Sequence, residues 1–200
     1  MRPRHPFPVR LRQIRSALRT DQVLTASQVE RYYDTTLEEI RPHVTVRHTP
    51  FRPLKGVPRE LDASFLLPLE QEEEARWLPS WKLAHQAGTA ELRHALGIPT
   101  THWELEGGFD THRPDAVIHT PAGMIAVEHD SGYPPAIVAQ KLKAFEAFSQ
   151  VIWGTASKAR RGHLQSRHAH KAVFLHVDIT KQVQTHADMT SAIKERLQLT

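Results

Sequence analysis

Apolar positions recur with a helical period at the start of the chain. Leu11, Ile14 and Leu18 fall on one stripe with arginines on the other side, which predicts an amphipathic helix over residues 9–19. The segment LTASQV follows, with the Thr-x-x-Gln spacing of a capping box and an apolar residue on each side of it. That spacing predicts a second helix over residues 26–33.

A short third helix and a pair of strands complete the first unit. The helix is predicted in TTLEEI, where Thr35 and Glu38 have capping-box spacing and Pro42 follows. The segments VTVRH and ASFLLPL alternate or run apolar as strands do, and the basic Pro/Gly-rich loop FRPLKGVPRE separates them. Three helices followed by a hairpin with a long basic loop is the order of a winged helix-turn-helix, which we assign to residues 1–69.

The rest of the chain alternates helical and strand patterns. A charge run and Pro79 in EQEEEARWLPSW indicate a connector over residues 70–80. Beyond it the predicted elements are a helix over 81–96, strands over 102–106, 115–119 and 123–128, a helix over 135–149, the strand VIWGTA, a basic helix over 157–170, the strand AVFLHV and a helix over 188–198. This α-β-β-β-α-β order with an added α-β predicts an α/β domain over residues 81–200, in which a mixed sheet lies between helices.

Composition narrows the class of protein. The 200 residues are 40% hydrophobic and 24% charged, as in soluble globular proteins. No apolar run approaches the roughly 18 residues of a membrane span, and the basic amino terminus lacks the apolar core of a signal peptide. The absence of cysteine excludes disulfides, a thiol nucleophile and a cysteine zinc site. We therefore expect a cytoplasmic protein without a membrane partner.

Positive charge is concentrated in two segments. The net charge is only +4, but six arginines lie within the first 19 residues, and a second basic cluster with three histidines covers residues 158–171. Such clusters suit a phosphate backbone, although a solvated helix face explains either cluster alone equally well. The residues expected to contact DNA, which include two from the basic loop, are Arg10, Arg12, Arg15, Arg19, Arg52, Lys55, Arg160 and Arg161.

Three carboxylates are tied to two neighbouring predicted strands in HRPDAVIHTPAGMIAVEHD. Asp115 opens the first strand, and Glu128 and Asp130 end the second on one face, because side chains alternate along a strand. The turn in TPAGM would place Asp115 beside the Glu128 end. Mg²⁺ prefers one or two carboxylates together with waters and phosphate oxygens, so the spacing is compatible with a shared metal. The polar ends of two ordinary strands would give the same pattern.

A positive group and a further carboxylate lie on the flanking helices. In AIVAQKLKAFEAF, Lys141 lies at the edge of the buried face and can lean over the sheet, whereas Lys143 points into water. A lysine there could orient the attacking water or stabilise developing charge. On the preceding helix, Glu91 flanks a predicted buried stripe that includes Trp81, and could supply another oxygen. For His85, on the same stripe, we favour packing over metal ligation.

These motifs resemble those of known nucleases. RPDAV, followed by IAVEHD and a helix with QKLKAF, looks like the PD-(D/E)xK nuclease superfamily, and more closely like the bacterial and plasmid-borne replication-relaxation family. Members of that family pair a winged helix with a PD-(D/E)xK-like domain, in which a helix similar to LAHQAGTAELRHAL precedes the PDA motif. Their helix lysine with an aromatic residue four positions later matches Lys141 and Phe145. The resemblance is best over residues 81–157.

The resemblance implies a restriction-endonuclease-like fold, DNA as partner and Mg²⁺ or Mn²⁺ as cofactor. Asp115 and Glu128 would ligate the metal, and Lys141 would be the third catalytic residue. Asp130 and Glu91 would be auxiliary metal ligands. Active members of the superfamily usually carry a lysine two residues after the strand-end glutamate, which is the position of Asp130 here, so Lys141 would stand in for it.

Three interpretations of the function stay open. The first is a DNA-binding protein with a nuclease-like domain that cleaves DNA phosphodiester bonds with Mg²⁺. The second is a catalytically inactive DNA-binding accessory of plasmid or mobile-element replication or maintenance, and the third is an adaptor that binds an acidic protein. Glu38 and Glu39 on the third helix repel phosphates, so we expect little sequence preference. The sequence leaves a homodimer open.

Overall fold

Helices surround two β-sheets in the part of the chain that the structure describes. This structure, a computed structural model, covers residues 5–55, 59–106 and 112–180. The mixed α/β architecture expected from the sequence is confirmed, whereas the helix predicted over 188–198 lies outside the described residues. None of the described helices combines the length and the apolar character that crossing a membrane requires.

The amino-terminal part combines helices with a three-stranded antiparallel sheet. Its elements are α1 (Phe7–Asp21), β1 (Leu24–Thr25), α2 (Ala26–Tyr33), α3 (Leu37–Ile40), β2 (Thr45–Phe51) and β3 (Leu61–Leu67). The strand order is β1-β3-β2, and β2 and β3 form the predicted antiparallel hairpin. This is the order of elements predicted for a winged helix-turn-helix, with the short strand β1 added.

The carboxyl-terminal part is built on a five-stranded mixed sheet. Its elements, with the helices that precede the sheet, are α4 (Glu72–Trp77), α5 (Ser80–Leu96), β4 (Trp103–Leu105), β5 (Ala116–Thr120), β6 (Gly123–Asp130), α6 (Pro135–Ala144), β7 (Gln150–Thr155), α7 (Lys158–His168) and β8 (Val173–His176). The strands lie in chain order, with β4, β5 and β6 antiparallel and β6, β7 and β8 parallel. The predicted α-β-β-β-α-β order with an added α-β is confirmed.

Strand β6 directs alternate side chains to two helical layers. Val127 belongs to the apolar cluster that includes α5, and Ala126 belongs to the cluster that includes α6. The next two residues continue the alternation, since Glu128 contacts α6 and His129 lies against Gly88 of α5. The end of β6 therefore presents a carboxylate to one layer and an imidazole to the other.

One apolar core joins the two parts of the chain. Phe51 and Phe65 of the amino-terminal sheet belong to the same buried cluster as Ile118 and Val127 of the five-stranded sheet. Helix α5 contacts strands of both sheets. The connector predicted over residues 70–80 contains the helix α4. The amino-terminal part is therefore packed onto the sheet that carries the candidate site.

The start of α3 and the end of α6 differ from the sequence prediction. The capping box of α3 uses Thr36 and Glu39, one residue later than predicted. Thr35 is instead buried and accepts a hydrogen bond from an arginine of α1, so it is not available as a cap. The helix predicted over 135–149 ends at Ala144, where a 3₁₀ turn replaces it.

The cap of α2 also links distant segments. Thr25 Oγ1 accepts a hydrogen bond from the backbone N–H of Gln28 (3.2 Å) and donates one to the backbone carbonyl oxygen of Ile179 (2.8 Å). Thr25→Ala should lower the free energy of unfolding by about 2 kcal/mol, because a carbonyl loses its donor in addition to the loss of the cap. Thr36→Ala, at the exposed cap of α3, is the control and should cost about 1 kcal/mol or less. Urea denaturation measures both, and equal losses would contradict the prediction.

Candidate active site

Two carboxylates meet where β5 begins and β6 ends. Ala116 pairs with Val127, and Asp115 N donates a hydrogen bond to Val127 O (2.9 Å), so Asp115 lies opposite Glu128. Glu128 is fully buried and Asp115 is 8% exposed. The position of these two carboxylates, predicted from the hairpin, is confirmed.

Lys141 of α6 lies against this carboxylate pair. Its Nζ is 3.0 Å from Glu128 Oε1, donates a hydrogen bond to Oε2 at 3.0 Å and reaches a backbone carbonyl at 3.2 Å. The ring centroids of Tyr133 and Phe145 are each 5.5 Å from the ammonium nitrogen, within the range of cation–π contacts. Lys141 is buried and Lys143 is exposed, as the helical periodicity predicts.

Two histidines fix Asp115 from the α5 side. His85 Nε2 lies 2.9 Å from Asp115 Oδ1, and His129 N donates a hydrogen bond to Oδ2 at 2.7 Å. The two imidazole rings are 5.5 Å apart between centroids, and the His129 ring packs directly on Gly88. His85, to which we assigned a packing role, therefore lies in direct contact with Asp115. We call the five residues at this place the carboxylate cluster: Asp115, Glu128, Lys141, His85 and His129.

Burial and mutual charge separate the pKa values of the two carboxylates. Burial and then the charge of Asp115 raise the pKa of Glu128 well above its ordinary value, and Lys141 offsets this only in part. Burial also acts to raise the pKa of Asp115, but the charge and hydrogen bond of His85 and the backbone N–H of His129 bring that pKa below its ordinary value. Glu128 is thus the carboxyl that more readily holds a proton, and an added cation would favour its ionisation.

His129 makes the fold sensitive to acid. Burial, followed by the charge of His85, lowers the pKa of His129 from 6.5 to about 4. Between these two values the unfolded chain binds more protons at this position than the folded chain does. Stability should therefore fall as the pH falls through this window, by up to about 3 kcal/mol.

The variant His129→Leu isolates this effect, because leucine does not titrate. We expect the difference in free energy of unfolding between the parent protein and His129→Leu to shift in favour of the variant as the pH is lowered from 7.5 to 4.5. Urea denaturation at each pH measures the difference, in which contributions from the other titrating groups cancel to first order. A difference that is independent of pH would contradict the prediction.

Asp130 is bonded to the polypeptide around it. Its Oδ1 accepts hydrogen bonds from the N–H groups of Gly132 (2.7 Å) and Tyr133 (2.8 Å). Its Oδ2 accepts hydrogen bonds from Trp153 Nε1 (3.1 Å) and Arg160 Nε (2.8 Å). These contacts argue against the predicted role of Asp130 as an auxiliary metal ligand. They also argue against a DNA contact for Arg160, whose guanidinium holds the loop after β6.

Glu91 joins α5 to α2. Its carboxylate accepts hydrogen bonds from Arg31 (2.9 and 2.8 Å), from the Tyr32 hydroxyl (2.7 Å) and from Gln28 Nε2 (2.9 Å). All these donors come from the amino-terminal part. The structure therefore uses Glu91 to hold the two parts together, which argues against its predicted role as a ligand beside Asp115.

The basic residues predicted to contact DNA differ in exposure. Arg10 is buried, and its guanidinium bonds to the Asp34 carbonyl, the Thr35 hydroxyl and Glu39. This burial argues against its predicted phosphate contact. Arg161 on α7 is partly buried. The exposed members, which lie on α1 and in the β2–β3 loop, are Arg12, Arg15, Arg19, Arg52 and Lys55.

A cleft of about 730 Å³ lies between the carboxylate cluster and the β2–β3 hairpin. Its lining includes Asp115, His85 and Lys141 from the carboxylate cluster. Arg52 and Lys55 from the hairpin loop line the same cleft. The amino-terminal part therefore contributes cations directly to the space that reaches Asp115.

Tyr133 is a residue of this site that sequence reasoning did not single out. Its ring contacts Lys141, and burial followed by the charge of Glu128 raises the pKa of its hydroxyl above the ordinary value. Tyr133 lies in the segment SGYPP, where no periodic pattern fixes the direction of a side chain. Its only sequence signal is its position three residues after Asp130.

Compared with known proteins, the chain matches no family model, no curated protein and no solved structure. Within residues 5–55, 59–106 and 112–180, no group of three or more His, Asp or Glu side chains is arranged to hold a metal ion. Asp115 and Glu128 alone nevertheless provide the one or two carboxylates that Mg²⁺ usually takes from a protein. The donor set therefore fits Mg²⁺ or Mn²⁺ with waters and phosphate oxygens as the other ligands.

Proposed function

We propose that this protein binds DNA and hydrolyses its phosphodiester bonds with the help of Mg²⁺ or Mn²⁺. The observation that carries the proposal is the convergence of Asp115, Glu128 and Lys141 beside an open cleft. Two carboxylates and one fixed cation are the side chains that metal-assisted hydrolysis of a phosphodiester needs. Arg52 and Lys55 in the same cleft suit the phosphate backbone of DNA.

Each residue of the carboxylate cluster has a distinct role in this proposal. Asp115 and Glu128 would hold the metal, which supplies a Lewis acid and lowers the pKa of a bound water. The Lys141 ammonium would stabilise negative charge on the phosphate, and its contact of 3.0 Å with Glu128 holds it in place before the reaction. His85 and the His129 N–H fix the orientation of Asp115.

The fold and the motifs support the same proposal. The order of elements from α5 to β7 is α-β-β-β-α-β, as predicted from the sequence for the domain that resembles the PD-(D/E)xK superfamily. The motif RPDAV leads into β5 and the motif IAVEHD ends β6, which places Asp115 opposite Glu128. A winged-helix-like unit precedes them, as in the replication-relaxation family, to which we propose that this chain is related.

The second candidate is a catalytically inactive DNA-binding accessory protein of plasmid or mobile-element replication. Two observations favour it. Asp130 stands where active superfamily members usually carry a lysine, and it is bonded to Arg160 and Trp153. Both oxygens of Asp115 already contact histidines, so a metal would compete with His85 for Oδ1. Such a protein would bind DNA without needing a metal.

Metal binding and DNA cleavage distinguish the two candidates. For an active nuclease, Asp115→Asn and Glu128→Gln should each lower the affinity for Mn²⁺ by at least about 10-fold, since even the outer partners of metal ligands contribute this much. Nicking of a supercoiled plasmid should fall in parallel. Lys143→Ala, exposed on the same helix as Lys141, is the control and should change neither quantity. Titration calorimetry with Mn²⁺ and a plasmid nicking assay measure both.

The outcomes separate the candidates. Parent-like Mn²⁺ affinity in both carboxylate variants would overturn the metal site. Binding of Mn²⁺ without cleavage of any DNA by the parent protein would favour the accessory protein. Failure to bind DNA at low salt would overturn both candidates and favour an adaptor for an acidic protein, because binding to phosphates is always strongest at low salt.

A further inference from the structure

The first residues of the β2–β3 loop, 52–55, are anchored beside the proposed active site. The Lys55 N–H donates a hydrogen bond to the carbonyl of Ser131, the first residue after β6 (2.8 Å). The neighbouring Gly132 has a φ of +103°, and a Cβ there would lie 3.0 Å from Lys55 N, so glycine permits this approach. Arg52, Pro53 and Lys55 are therefore held as one wall of the cleft that Asp115 also lines.

The cleft combines apolar surfaces with cations. Trp81, predicted to be buried, is instead 50% exposed and lines the cleft together with Tyr133. Further apolar lining comes from Pro50, Pro53, Pro134 and Ile137. Arg52 and Lys55 add positive charge on the hairpin side. Arg52 lies 3.1 Å from Glu60, but both side chains are more than half exposed, so a phosphate could replace this partner at small cost.

An unpaired strand fits this combination better than a double helix does. Within a duplex each base face is covered by its neighbours, and a protein meets phosphates and groove edges. A single strand offers flat base faces as well as phosphates, and proteins bind it with basic grooves and aromatic side chains on which bases stack. The volume of about 730 Å³ falls in the range of about 300–1,000 Å³ for pockets that enclose small organic groups, which suits unstacked bases.

We propose that the cleft binds single-stranded DNA, with a base stacked on Trp81 and neighbouring phosphates on Arg52 and Lys55. This inference rests on the proposed function, because it names the form of DNA that would reach Asp115 and Lys141. The strand passes between the basic loop and α5, so that the amino-terminal part positions the substrate and does not act as a separate recognition domain. Duplex DNA contacts the basic residues alone and binds more weakly.

Fluorescence anisotropy with labelled oligonucleotides of equal length tests the proposal. The full chain in EDTA, which prevents cleavage, should bind a single strand more tightly than the matching duplex. Trp81→Ala should weaken single-strand binding roughly 10-fold, as the loss of one stacked base does, and leave duplex binding nearly unchanged. Trp77→Ala is the matched control, because Trp77 is 84% exposed on α4 and does not line the cleft. Lys55→Ala should reduce the slope of log affinity against log salt by about 0.7.

Each outcome decides one question. Parent-like single-strand affinity in Trp81→Ala, or an equal loss in Trp77→Ala, overturns the stacking site. Tighter binding of the duplex overturns the single-strand inference and leaves the proposed function standing. Failure to bind either form of DNA overturns the inference and the proposed function together.

Discussion

Lys141→Met is expected to lower the free energy of unfolding by about 3–5 kcal/mol, the usual cost of removing one partner from a buried ion pair. Lys141 is 4% exposed, Glu128 is fully buried, and the ammonium lies 3.0 Å from the carboxylate. Methionine keeps most of the apolar stem of the side chain. It leaves Glu128 beside Asp115 without the charge that offsets their mutual repulsion, so the loss is electrostatic and not a packing defect.

Urea denaturation at pH 8 measures this loss, and two comparisons identify its cause. Lys143→Met, two residues further along α6 and exposed, should stay within about 0.5 kcal/mol of the parent protein. Adding Glu128→Gln to Lys141→Met should recover most of the lost stability, because the amide carries no charge. The loss should also shrink as the pH falls, because burial and the charge of Asp115 raise the pKa of Glu128 and favour its neutral form. Similar urea midpoints for Lys141→Met and Lys143→Met would mean that the pair does not stabilise the fold.

Local sequence patterns were sufficient to predict the elements that place the carboxylates. The hairpin predicted around TPAGM correctly put Asp115 opposite Glu128, and strand alternation put His129 on the other face. The helical period correctly separated the buried Lys141 from the exposed Lys143. Each of these predictions depends on residues close together in the chain, whose spacing fixes the direction of their side chains.

Pairings between distant segments could not be predicted in the same way. Arg10 belongs to an arginine-rich helix, yet it is buried against Glu39, and Glu91 is held by Arg31 of another helix. A single sequence shows where charges are but not which of them meet. For the same reason Asp130 could be placed on the correct face of β6 while its bonds to the loop and to α7 remained unknown.

The packing of the two parts of the chain against each other could not be predicted from the hydrophobic pattern either. The hydrophobic periodicity shows that β3 and β6 each have a buried face, but not that Phe65 and Val127 belong to one core. The boundary predicted over residues 70–80 therefore implied two independent domains. The shared core matters for the proposed function, because it places Arg52 and Lys55 of the basic loop on the same cleft as the carboxylate cluster. If the protein binds DNA as proposed, substitutions in that loop should thus alter how DNA reaches Asp115 as well as how tightly it binds.

Gly88→Ala is expected to lower the free energy of unfolding by about 3 kcal/mol, although alanine in place of glycine normally stabilises a helix interior by about 1 kcal/mol. A Cβ at this position would lie 2.3 Å from Cε1 and Nε2 of the His129 ring. The His129 side chain has little room to move. Its backbone N–H is hydrogen-bonded to Asp115 at 2.7 Å, and its ring centroid lies 5.5 Å from that of His85. The cost should therefore reach the upper end of the range of about 1–3 kcal/mol for overpacked cores. Thermal or urea denaturation of the two proteins measures it.

Gly162→Ala on α7 is the matched control, because a Cβ there meets nothing within 4 Å and should stabilise the protein by about 1 kcal/mol. In the His129→Ala background the imidazole is absent, so Gly88→Ala should cost less than about 1 kcal/mol, and a double-mutant cycle should show strong coupling. An equal cost in both backgrounds would place the strain elsewhere on α5. Since the His129 N–H also orients Asp115, Gly88→Ala should weaken Mn²⁺ binding if Asp115 is a ligand, and Gly162→Ala should not.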